Sequence, residues 1–317
     1  MTAIVLGSDR FLAPGRWLWL RALGWGIALF LLLTLAAGLA AAAAAALAGL
    51  AVGMPVALAV MPATGPGQIG YVVGAAAALG AYVGLVRLCE RRRADELALA
   101  PAPLELAAGL AIGAAMMAVT VLLLYFAGGV TLARHPVESI WNAVALSVQS
   151  GFVEEILFRL VVLRLVWRAF GPWPALAFSA CLFGALHLFN PNATAFAALA
   201  IAVEAGIMLA AFYILTGRLW VSIGVHAGWN FTQGWLFGAA VSGTGGFAGG
   251  PLLTLPVPGT PQWLSGGAFG PEASVAGLLV GTLVGLAVLG LAARRGAFMP
   301  GGAKAGTEAA PGAKLSW

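Results

Sequence analysis

Charged residues along this chain come in short clusters separated by long apolar runs. From Ala22 to Ala63 there is no charged residue. A helix rises about 1.5 Å per residue, and a bilayer core takes about 20 residues to cross. That first run is therefore longer than one span needs, and its end runs along the far interface. The pattern predicts spans at about 18–47, 69–88, 104–130, 136–170, 175–189, 195–215, 219–241 and 273–293. The breaks between them carry the expected signals. "RLCERRRADE" is a charged loop, Pro136 suits a first helical turn, and "GPWP", "NPNAT" and "TGR" punctuate the later runs. Residues 242–271 are rich in Gly and Pro and lack Lys and Arg.

Composition agrees with this pattern. The chain has 317 residues, 62% hydrophobic and 9% charged, and its mean hydropathy is +0.98. Soluble domains carry about a quarter charged residues. The expected fold class is all-α, a polytopic transmembrane helical bundle of about eight spans. Residues 1–136 form about three N-terminal spans and 137–242 the core spans. Residues 243–295 form an outer loop and the last span, and 296–317 a disordered cytoplasmic tail.

The net charge of +5 does not point to nucleic acid, because the basic residues lie between apolar runs and form no face of a soluble domain. With the N-terminus inside, every Lys and Arg except Arg134 and Arg159 falls on the inner side. This bias predicts an integral protein of a bacterial-type plasma membrane with both termini cytoplasmic. The first run far exceeds the apolar core of a signal peptide and reads as a retained span. Cys89 and Cys181 suggest neither a disulfide framework nor a CxxC metal site. No internal repeat of the kind that builds transporters stands out.

Against this background the ionisable residues inside spans are conspicuous, since a central charge costs roughly 2.5–3.5 kcal/mol on insertion scales. They are Glu154, Glu155, Arg159, His187, Glu204 and His226, with Asn230 as a polar companion. Glu155 and Arg159 stand i, i+4 with the acid first, the favourable order for an ion pair. Glu154 is turned about 100° from Glu155. One glutamate can neutralise Arg159 while the other faces something else. The bland alternative is a buried ionic knot of all three. Phe183 and His187 share one helix face, as do His226 and Asn230.

A carboxylate can take a proton from water, and an imidazole can orient that water or protonate a leaving group. A His–Asn pair can donate to an oxyanion. Alternatively Glu154, His187 and His226 could hold a divalent metal such as Zn²⁺ with an open position for water. Both routes lead to hydrolysis of a carbonyl substrate. No HExxH, GxSxG or P-loop is present. Two other classes remain open at this point: a haem or redox protein using His187 and His226, and a transporter with a proton relay.

The three pairs also resemble a known family. "EEILFR" (154–159) is similar to its EExxxR motif, "FGALH" (183–187) to FxxxH, and "HAGWN" (226–230) to HxxxN. This ordered set, over about residues 138–242, resembles the CPBP (Abi) family of CAAX-processing and bacteriocin-processing intramembrane endopeptidases. The resemblance implies that Glu154 activates water with His187. It also implies that His226 and Asn230 stabilise the oxyanion, and leaves Glu155 and Arg159 as a structural pair. Members are described both as glutamate proteases and as metalloproteases, and some are immunity proteins, so a non-catalytic scaffold is a further alternative. The expected partners are a membrane-associated protein or peptide and the lipid bilayer. Glu204 matches no motif position and reads as a packing residue.

Overall fold

The structure, a computed structural model, describes residues 4–298. Eight helical runs build it: α1 (Leu18–Ala51), α2 (Gly65–Glu90), α3 (Ala102–Phe126), α4 (residues 141–170), α5 (Pro172–Leu186), α6 (Ala195–Thr216), α7 (residues 220–236) and α8 (Val275–Arg294). Local chemistry sets their ends. Thr64, Thr194 and Ser274 cap α2, α6 and α8 by accepting from Gly67, Ala197 and Gly277 N–H groups. Gly171, at φ +91°, makes the tight reversal between α4 and α5 that a Cβ would strain.

Six helices among the described residues are long and apolar enough to cross a membrane: α1, α2, α3, α6, α8, and α5 with its following turn. By length and composition, six of the about eight expected spans qualify. The two remaining runs, α4 and α7, are the ones that carry Glu154, Glu155, Arg159, His226 and Asn230. Both sit inside the bundle. Residues 156–168 of α4 and 220–230 of α7 are buried without interruption.

Loop contacts sort the helix ends to two sides. On one side the N-terminal strap, the turn after α2 and the α6–α7 turn come together. Arg168 donates to Leu12 O and pairs with Asp9 at 2.8 Å. Leu219 N–H bonds Glu96 O, and Trp220 Nε1–H bonds Ala98 O. On the other side two strands, β1 (Val130–Arg134) and β2 (Leu252–Pro256), pair antiparallel with Val130 opposite Pro256. There too Gly243 N–H reaches Phe269 O, and Asn192 donates to Gly243 O. Each helical run therefore passes from one side to the other.

Three differences from the sequence reading have physical causes. The run expected to continue to 130 stops at Phe126, because Gly128 takes φ +73° and the chain turns into β1. The run expected from 136 begins at Trp141, because His135 and Glu138 N–H groups bond Pro251 and Gly249 carbonyls beside β2. Arg164 and Arg168, assigned by charge bias to the inner side, are buried. Arg164 holds Glu90 through both terminal nitrogens at 2.9 and 2.7 Å, and Glu90 also accepts from Trp25 and Arg92. Nearby, burial alone would raise the Glu96 carboxyl. The hydrogen-bonded Arg92 guanidinium outweighs that and holds it below its ordinary value. Most of the expected tail, from residue 299 onward, lies outside the described residues.

Candidate functional site

Small residues bring α7 against its neighbours. A Cβ on Gly109 would stand 2.5 Å from Val221 O, one on Gly113 2.1 Å from Val225 O, and one on Gly228 2.4 Å from Leu110 O. The α3–α7 contact is thus a glycine-to-glycine crossing in which backbones touch, as in small-xxx-small helix pairs. Gly151 of α4 meets Ala227 of α7 in the same way. These approaches place His226 and Asn230 beside the glutamates of α4. In α4 itself the turns widen over Ser150–Glu154 and Ile156–Leu163. Such wide turns concentrate at functional positions.

The charged cluster is compact. Arg159 Nε lies 3.0 Å from Glu155 Oε2, with both side chains wholly buried. Arg159 also donates to Ala205 O, at 3.3 Å. The other Glu155 oxygen sits 3.1 Å from His226 Nδ1. Glu155 therefore joins Arg159 to His226, two helices at once. On the opposite edge of the imidazole, Nε2 is 3.9 Å from Glu154 Oε2. The Glu154 side chain keeps 31% of its surface exposed, whereas Glu155 keeps none. Asn230 Nδ2 donates to Ser150 Oγ at 3.0 Å. An amide nitrogen carries two hydrogens, so Ser150 orients Asn230 and leaves one N–H available.

His187 enters from α5. Its Nδ1 donates to Phe183 O at 2.7 Å, one turn earlier, leaving Nε2 as the basic nitrogen. The Phe183 ring packs against both imidazoles, at 4.7 Å from His187 and 6.2 Å from His226 between centroids. It also lies under the Arg159 guanidinium at 5.2 Å. His187, His226 and Asn230 line one small cavity of about 20 Å³, together with Glu204, Ser242 and Glu272.

Sequence reasoning named Glu154, Glu155, Arg159, His187, His226 and Asn230, and all six lie in or beside this cluster. It missed Ser150, although Ser150 stands i−4 from Glu154 on the same helix. It also missed Ser242 and Glu272, which a Gly/Pro-rich stretch delivers from far along the chain. Ser242 donates its N–H and hydroxyl to Glu272 Oε1, at 2.5 and 2.9 Å. Burial pushes the Glu272 carboxyl up, against the Ser242 hydrogen bonds and the nearby His187.

Among the described residues no group of three or more His, Cys, Asp or Glu side chains is placed to hold a metal ion. His187 and His226 each commit Nδ1, to Phe183 O and to Glu155 respectively, and keep Nε2 as the nitrogen available for chemistry.

Comparison with known proteins agrees with the motif-bearing segment. No curated protein and no solved structure matches the chain. A family model does, over residues 136–232, described as Rce1-like: type II CAAX prenyl endopeptidase Rce1-like. The stretch that carries Glu154, His187, His226 and Asn230 is thus similar to type II CAAX prenyl endopeptidases of the Rce1-like kind.

Proposed function

We propose that this protein is an intramembrane endopeptidase that hydrolyses a peptide bond in a membrane-associated protein or peptide. The observation that carries this reading is the meeting of one partly exposed carboxylate, Glu154, with a His226 imidazole already anchored through its other nitrogen by Glu155. A carboxylate in that position can accept a proton from water. The water oxygen then bonds to the scissile carbonyl carbon, whose oxygen becomes the oxyanion. Asn230 offers its free N–H, and protonated His226 offers Nε2–H, to that oxygen. The C–N bond breaks, and the amine leaves with the proton that Glu154 took, returned directly or passed on through His187. Glu155 and Arg159 hold His226 and α4 in register.

The likeness to prenyl endopeptidases supports a lipid-modified or membrane-bound substrate. Every step above belongs to the chain's own residues. The test is Glu154→Gln, assayed with a farnesylated CaaX peptide in reconstituted vesicles. The amide cannot accept the proton, so turnover should vanish while the protein stays folded in the membrane. Turnover like wild type in a folded Glu154→Gln protein removes Glu154 from the reaction.

A further inference from the structure

Glu204 matches none of the three motifs and takes no part in the reaction above, yet it lines the same cavity. It is 1% exposed, and neither carboxylate oxygen has a hydrogen-bond partner. Its neighbourhood fixes that position. Gly281 of α8 presses against it so closely that a Cβ there would stand 2.5 Å from Glu204 Cβ. The backbone around it is a wide turn, Ala202–Ile207, packed on Ala180 through Gly206.

A buried polar group left without a partner costs about 1–3 kcal/mol, so native structures satisfy such groups, often with ordered water. A cavity holds a water when it offers roughly 10–15 Å³ or more and two to four polar contacts. This one offers about 20 Å³ and places Glu204 and His187 on its wall. The second carboxylate there, Glu272, already accepts two hydrogen bonds from Ser242. His187 has committed Nδ1 to Phe183 O, so its other nitrogen is the one that can reach the cavity.

We infer that Glu204 holds one ordered water in this cavity and, through it, the Nε2 edge of His187. Glu204 is thereby a positioning residue for His187. This rests on the peptidase reading for its consequence in catalysis, but not for the water itself. The bridge adds a second hold on the ring at its Nε2 edge, opposite the one that Nδ1 makes to Phe183 O at the end of α5.

Two readouts test it on the full-length protein. The chain has 3 histidines, so ¹⁵N-histidine labelling resolves each ring, with His187 assigned by His187→Gln. Glu204→Leu should move the His187 ring resonances and leave those of His135 unchanged. Glu204→Gln, which can still bond the water, should restore most of the wild-type spectrum. With the farnesylated CaaX peptide, Glu204→Leu should lower kcat by on the order of 10²-fold, the loss typical of a misplaced catalytic group. KM should hold, and Glu204→Gln should recover most of the rate. A role in packing alone would change the melting temperature and leave the His187 resonances in place. Unmoved His187 signals in folded Glu204→Leu overturn the inference. If Glu204→Leu does not fold, Glu204→Met takes its place under the same criterion. Wild-type protein that fails to cleave the peptide counts against the peptidase reading, while the spectra still decide the water.

Discussion

Glu154 and Glu155 are neighbours in sequence and meet different partners, because successive helix residues point about 100° apart. That much is legible from "EEILFR" alone, as is the spacing that lets Glu155 reach Arg159. The sequence does not show that Glu155 also holds His226, since that contact depends on how α4 and α7 cross. Asn230 is the residue whose role divides the chemistry most sharply. With Ser150 taking one amide hydrogen, the other is free for the oxyanion. Removing one such donor costs about 10²–10³-fold in turnover. Asn230→Ala should lose about that much in kcat with little change in KM, and Asn230→Asp should fail too, because a carboxylate repels an oxyanion. A metal-bound mechanism forecasts the reverse for Asn230→Asp. Kinetics and metal content measured on both variants separate the two, and an active, metal-rich Asn230→Asp enzyme overturns the donor role.

At the scale of elements, α4 and α7 are the least lipid-like helices and the most deeply enclosed. Hydrophobic periodicity cannot order such helices in space. What it misses is the contact code: Gly109 and Gly113 opposite Gly224 and Gly228, with Gly151 opposite Ala227. These glycines were visible in the sequence, but their partners were not, because each lies on a different helix. Periodicity also missed β1 and β2, each too short to show alternation and far apart along the chain. The joint between α4 and α7 relies on the Arg159–Glu155–His226 chain. Glu155→Ala should therefore act on stability before chemistry. Truncating one partner of a buried pair costs about 3–5 kcal/mol, and here it also strips Nδ1 of His226. Reduced yield and a clearly lower melting temperature are expected, in contrast to Glu154→Gln. A Glu155→Ala protein that melts like wild type makes the pair dispensable.

At the scale of the whole molecule, the one-sided distribution of Arg and Lys foretold which turns share a side, and the loop contacts agree with that grouping. The turn after α2 meets the turn before α7, through Glu96 and Leu219, while β1 after α3 pairs with β2 after α7. This pattern needs α4 and α7 to run from side to side even though neither is long and apolar enough to count among the six candidate spans. Their charges are tolerable there because other helices enclose them and the ionic groups are mutually paired. Labelling tests this arrangement directly. Cys89 and Cys181 are exposed and must first become Ser. Single cysteines at Arg93, in the charged turn, and Pro258, just beyond β2, then report the two sides, since both positions are exposed. In sealed vesicles an impermeant maleimide should reach Arg93→Cys only from the cytoplasmic face and Pro258→Cys only from the other. Exchanged faces would invert the orientation and keep the fold. Labelling of both from one face would mean that α4 or α7 does not cross, and the cavity holding His187, Glu204 and Asn230 would then need a different approach for substrate.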